Sequence, residues 1–162
     1  MHTRVGLLML ATLMTPLAVE ARQTRPSIDL AGAWVGFPDD GMVSEPLIGG
    51  ALRWPISSRL SIGPEVVYID GESHGHVVVT GNLTFDFRPD RSVQPFLVAG
   101  GGMFRTREQF FDDAVTSAEG AFTAGGGVRA RVTDRVSIGV DARIGWELHV
   151  RVGGVVSVRL GP

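Results

Sequence analysis

The chain contains no cysteine and no lysine. The missing cysteine excludes a disulfide scaffold, an iron–sulfur or cysteine-zinc centre, and a cysteine nucleophile. The missing lysine makes all 15 basic side chains arginines, and 17 Asp and Glu leave a formal charge of −2. That balance lacks the basic excess expected of a nucleic-acid-binding protein. What is abundant is glycine, 22 residues of 162, without a collagen period. Glycine in a helix interior costs roughly 1 kcal/mol relative to alanine, so this content argues against a helical bundle. At 44% apolar, the chain is long enough for one domain and has the means to build an apolar surface.

The N-terminus has the order of a secretory signal: His2 and Arg4, an apolar run from Val5 to Val19, then Val19-Glu20-Ala21 with small residues at −3 and −1. The run falls short of the roughly 20 residues that a spanning helix needs. Residues 1–21 are therefore expected to be a signal peptide and 22–162 a single β-barrel domain.

Beyond that point the governing signal is period-2 alternation. From Val136 to Glu147, Val136, Ile138, Val140, Ala142, Ile144 and Trp146 fall on one face, and Ser137, Gly139, Asp141, Arg143, Gly145 and Glu147 on the other. Similar alternation covers Arg59 to Tyr68, Val77 to Arg88, Phe122 to Val132 and Val150 to Leu160. Ile28 to Phe37 and Leu47 to Ile56 alternate less cleanly, and Gln94 to Arg105 is apolar on both faces. The count is eight strands of about ten residues, the length of a tilted strand that crosses a bilayer.

The connectors Ser57-Ser58, Pro89 to Ser92 and Thr133 to Arg135 are short. Pro38 to Pro46, Asp70 to Gly75 and Thr106 to Ser117 read as longer, more acidic loops, and the last connector, near Glu147 to His149, as tight. Short turns at one end and longer loops at the other fit an all-β, eight-stranded antiparallel up-and-down transmembrane β-barrel. The polar face mixes Arg53, Arg129, Arg131, Arg143, Arg151 and Arg159 with Glu65, Asp86, Asp141 and Glu147 among Gly, Ser and Thr. Small residues and pairable charges suit a narrow bore, and burial requires the charges to be networked. Trp34, Trp54, Tyr68 and Trp146 lie near strand ends on the apolar face, where aromatic girdles meet the membrane interfaces. The competing reading is a secreted, lipocalin-like barrel with the apolar face inward.

Three segments carry a resemblance. Pro95-Phe96-Leu97-Val98-Ala99-Gly100-Gly101-Gly102 is similar to the central strand of the small outer-membrane β-barrel family, the OmpA-like membrane domains and OmpX-like proteins. Phe122 to Val128 resembles its next strand, and Val152 to Leu160 its closing strand. The resemblance implies a cell-envelope protein of Gram-negative type, surrounded by outer-membrane lipid and lipopolysaccharide and inserted by the barrel-assembly machinery, most simply as a monomer. One departure is that Leu160 stands where the family's closing strand usually ends in an aromatic residue.

Candidate chemistry is sparse. Gly100–Gly102 and Gly125–Gly127 lie in strands, so close packing at a curved wall explains them better than phosphate cradling. Within Glu72-Ser73-His74-Gly75-His76, the histidines at i and i+2 have a metal-ligand spacing, but no third ligand is evident and loop polarity is the plainer explanation. Asp39-Asp40 and Asp112-Asp113 have the chemistry for divalent ions bridging lipopolysaccharide phosphates, although solvated loop tips explain them as well. Ser73, His76 or His149, and Glu147 are the material for a lipid A-modifying enzyme. No catalytic, cofactor or metal residue is assigned from these. The leading expectation is a non-enzymatic structural, adhesion or surface-interaction role through the outer loops.

Overall fold

The computed structural model describes residues 25–37, 43–71, 74–110, 113–145 and 149–161. Eight strands run in chain order: β1 (Ser27–Phe37), β2 (Val43–Pro55), β3 (Leu60–Asp70), β4 (His74–Asp86), β5 (Val93–Phe110), β6 (Asp113–Arg131), β7 (Val136–Gly145) and β8 (Val150–Arg159). Each pairs antiparallel with the next, and β8 returns to β1 through the register Ser27↔Arg159 to Gly36↔Val150. Closure leaves no sheet edge along the shared wall.

The alternating sequence turns its apolar face outward. Ile138, Val140 and Ile144 are 51%, 62% and 52% exposed, whereas Arg129 is 3% exposed. Leu30, Ile48, Ile62, Leu83, Leu97, Val152 and Val156 are exposed on the same outer surface. A water-soluble barrel of this sequence would have the opposite arrangement, so the lipocalin-like reading is overturned. Trp34 and Tyr68 stand outward toward one end, and Trp54 and Phe87 toward the other. Trp146 and Glu147 lie outside the described residues, as do the expected signal peptide and Asp39-Asp40.

The end bearing the connectors 56–59, 87–92 and 132–135 is called here the turn end, and the opposite one the loop end. At the turn end the Ser57 hydroxyl accepts from the Arg59 and Leu60 amides, and the Thr133 hydroxyl from those of Arg135 and Val136. The loop end departs from expectation. Thr106 to Ser117 is strand on both sides of residues 111–112, and the ladder continues to Phe110↔Asp113. Likewise β2 begins at Val43 and β4 at His74, inside the expected loops. The extra length at this end is carried by extended strands. Outside a bilayer no apolar face is required, so these segments lose the alternation that marks a strand in sequence.

Five of the six triplet glycines, all but Gly101, pack closely against the neighbouring strands as expected for a curved wall. A Cβ on Gly127 would lie 2.1 Å from the Val140 carbonyl oxygen, and one on Gly102 1.9 Å from that of Val79. Both obstacles are backbone, which a side-chain rotation cannot relieve. Gly102→Ala is expected to cost about 1–3 kcal/mol through forced separation of β4 from β5, read as a lower urea midpoint in detergent.

Candidate functional site

The interior is built in three levels from the inward residues of all eight strands. At mid-barrel, Arg143 on β7 stands directly opposite Arg151 on β8. Two like charges so placed repel. Two acids resolve the conflict. Arg143 Nη1 lies 2.7 Å from Glu65 Oε2 and its Nη2 2.7 Å from Asp141 Oδ2. Arg151 Nη2 lies 2.9 Å from Glu65 Oε1, off the angle for a hydrogen bond, and 3.6 Å from Asp141 Oδ2. The four side chains form a neutral quartet, with Glu65 reaching from β3 to the β7–β8 wall. Asn82 donates a further hydrogen bond to Glu65.

Toward the turn end a second group bridges other strands. Arg53 on β2 makes a two-pronged contact with Asp29 on β1, at 2.6 and 3.1 Å. Asp86 on β4 accepts from Arg129 on β6 at 2.8 Å and faces Arg53 at 4.0 Å. Arg129 also stacks over the Phe96 ring, 4.0 Å from its centroid, where a desolvated cation gains from the π face. The space between these bridges and the quartet is about 30 Å³, room for roughly one water.

Two expected members of the network behave differently. Arg131 donates to the Pro89 carbonyl and Arg159 to the Asp134 carbonyl, neither through a carboxylate. The reason is position: both lie where the bore opens at the turn end. Sequence reading also passed over Asp29, the main partner of Arg53. Its segment of Ala and Gly gives a weak alternation, though an acid two residues inside a strand facing Arg53 was the available signal.

Toward the loop end the bore is filled with hydrocarbon. Ala33, Val35, Leu47, Val67, Ile69, Val78, Phe104 and Ala121 form one buried cluster, with Phe37 packed against it. His76 is buried and stacks on Phe104 at 4.9 Å between ring centroids. His149 is buried with its ring 5.6 Å from that of Phe37. Both histidines therefore belong to the packed interior and not to the rim of the outer surface. Ser73 and Asp112 lie outside the described residues, and of His74 and Asp113 only the strand backbone is described. Among the described residues no three His, Asp or Glu approach one another as a metal site would require.

No family model and no curated protein sequence matches the chain. Solved structures do. Neisserial surface protein A (NspA) superposes with a TM-score of 0.70 at 14% identity, over 83% of this chain and 96% of that one. The N-terminal β-barrel domain of Pseudomonas aeruginosa OprF gives 0.67 at 12% identity, over 83% and 97%. Ail, the attachment invasion locus protein of Yersinia pestis, gives 0.55 at 12%, over 83% and 95%. The fold is that of the small eight-stranded outer-membrane β-barrels.

Proposed function

We propose that this chain is a cell-outer-membrane protein with a non-enzymatic role, presenting its loop end outside the cell for attachment or surface interaction. The observation that carries this reading is the β5–β6 hairpin. Pairing of β4 with β5 stops at His74↔Glu108, and that of β6 with β7 at Thr123↔Gly145. The β5–β6 ladder runs on to Phe110↔Asp113, so residues 113–122 of β6 extend beyond the described β6–β7 ladder. A projecting backbone edge of this kind is a template for strand addition by a partner. The interior supports the same reading. Ion pairs cross the bore and hydrocarbon fills its loop end, an arrangement suited to a rigid anchor and not to a wide diffusion pore. Short turns face the periplasm in such barrels, which supports a cell-surface position for the hairpin. Two of the folds it resembles bear names of this kind: a surface protein and an attachment protein.

The lipid A enzyme would need a base at the outer rim, whereas His76 and His149 are packed inside. The test is made on intact cells with and without the protein. Proteinase K added outside should cut within the hairpin, between residues 109 and 122, and leave the turn end protected, while the lipid A mass profile stays unchanged. A protein-dependent change in lipid A mass would overturn the reading in favour of an enzyme. Cleavage only after the outer membrane is opened would overturn the surface assignment.

A further inference from the structure

The bore opens at the turn end into a cavity of about 560 Å³. Among the described residues six arginines line it: Arg53 and Arg129 at its floor, and Arg25, Arg59, Arg131 and Arg159 around them. The acids that line it are Asp86, Asp90 and Asp134. Asp86 is already engaged by Arg53 and Arg129, and Asp29 below holds Arg53. The positive excess therefore rests on the outer four arginines, two of whose charges Asp90 and Asp134 offset. Arg131 and Arg159 spend one donor each on a backbone carbonyl, which neutralises no charge. The Nε groups of Arg129 and Arg131 are buried without a hydrogen-bond partner. A buried donor of this kind is costly unless something accepts from it. Between the arginines the wall is polar, with Ser27, Ser61, Ser137 and Ser157 buried in it.

We propose that this vestibule is a binding site for a multivalent phosphate-type oxyanion. Several guanidinium forks converge on one concave space, and their planar N–H pairs match phosphate oxygens. The surrounding barrel wall and lipid have low dielectric, which focuses the field of the excess charge into the cavity. Hydroxyls on the same wall supply neutral donors for the remaining oxygens. A monovalent ion would leave half of the excess uncompensated, so valence is the selective property. The anion arrives from the turn-end side, either as a soluble phosphorylated molecule or as the phosphate of a lipid headgroup at the rim.

The experiment uses the protein purified from the outer membrane in zwitterionic detergent, with tripolyphosphate as the probe and calorimetric titration at low salt as the readout. Saturable binding is expected, weakening steeply with added salt and at least tenfold in R131Q/R159Q. R25Q/R59Q, confined to exposed side chains, should also weaken it several-fold while leaving heat-modifiable mobility intact, which separates loss of the site from loss of the fold. R105Q, at the loop end, should leave it unchanged. Competition by phosphatidylglycerol and not by phosphatidylcholine identifies a headgroup as the source of the phosphate. The absence of such competition, with binding retained, identifies a soluble ligand. No saturable binding to the native protein overturns the proposal. So does equal affinity in the native protein and both double variants, since the anion would then be adventitious.

Discussion

Glu65→Ala is expected to lower the stability of the barrel by about 3–5 kcal/mol, the loss typical of removing one partner from a buried ion network. Glu65 is 4% exposed and touches Arg143, Arg151 and Asn82. Without it, Asp141 alone must offset two arginines that stand opposite each other in the β7–β8 ladder. The quartet goes from neutral to a net positive charge in a bore that offers almost no water. It also loses its only member on β3, and with it the link across the barrel. Urea unfolding in detergent, followed by Trp34 and Trp54 fluorescence, reads the change. R159Q is the control: Arg159 bonds only a turn carbonyl at the open mouth, and its loss should cost under about 1 kcal/mol, as for other exposed polar contacts. A Glu65→Ala protein as stable as the native one would mean that the quartet does not hold the wall together.

Val140→Arg is expected to cost about 2–4 kcal/mol in a bilayer, the range for a cation placed on the lipid face near the midplane. Val140 lies midway along β7 and is 62% exposed on the outer surface. Its neighbours Ile138, Ala142 and Ile144 offer no acid to pair with the introduced charge. Depth decides the magnitude, because a long side chain near an interface reaches water. Ile56→Arg, beside the turn end, should therefore cost no more than about 1 kcal/mol. Folding yield and urea midpoint in lipid vesicles check both variants. In a water-soluble barrel Val140→Arg would be harmless, so equal costs at the two depths would contradict a membrane location for this face.

The strands and their facing were legible because a bilayer imposes alternation on every residue that crosses it. Val136 to Ile144 shows this plainly, with Ser137, Gly139, Asp141 and Arg143 kept inward by the same rule that places Val140 outward. The apolar plug was less legible. Arg59 to Tyr68 and Val77 to Arg88 read as alternating strands although Val67 and Val78 stand on their inward faces, and only the two-sided apolarity of Gln94 to Arg105 hinted that part of the interior is hydrocarbon. Phe96, Val98 and Phe104 are the inward half of that segment. The hairpin beyond Arg105 was read as a loop because strands outside a membrane need no apolar face. The partners of the charged residues were beyond a one-dimensional reading. Arg143 and Glu65 are 78 positions apart and meet only because the barrel closes. Arg131 and Arg159 look identical to the bridged arginines in sequence, yet lie at the open mouth.

The central claim is that the apolar face meets lipid and the charged face the bore. The absence of native cysteine makes it directly measurable. Single cysteines at positions 138, 140 and 144, each carrying a nitroxide label, are compared with one at Ser137 in lipid vesicles, using molecular oxygen as the lipid-soluble relaxant and a nickel chelate as the aqueous one. The labels at 138, 140 and 144 should relax strongly with oxygen and weakly with nickel, and the label at 137 should be shielded from oxygen. Nickel dominating at 138, 140 and 144, with oxygen dominating at 137, would mean that the barrel is the other way out.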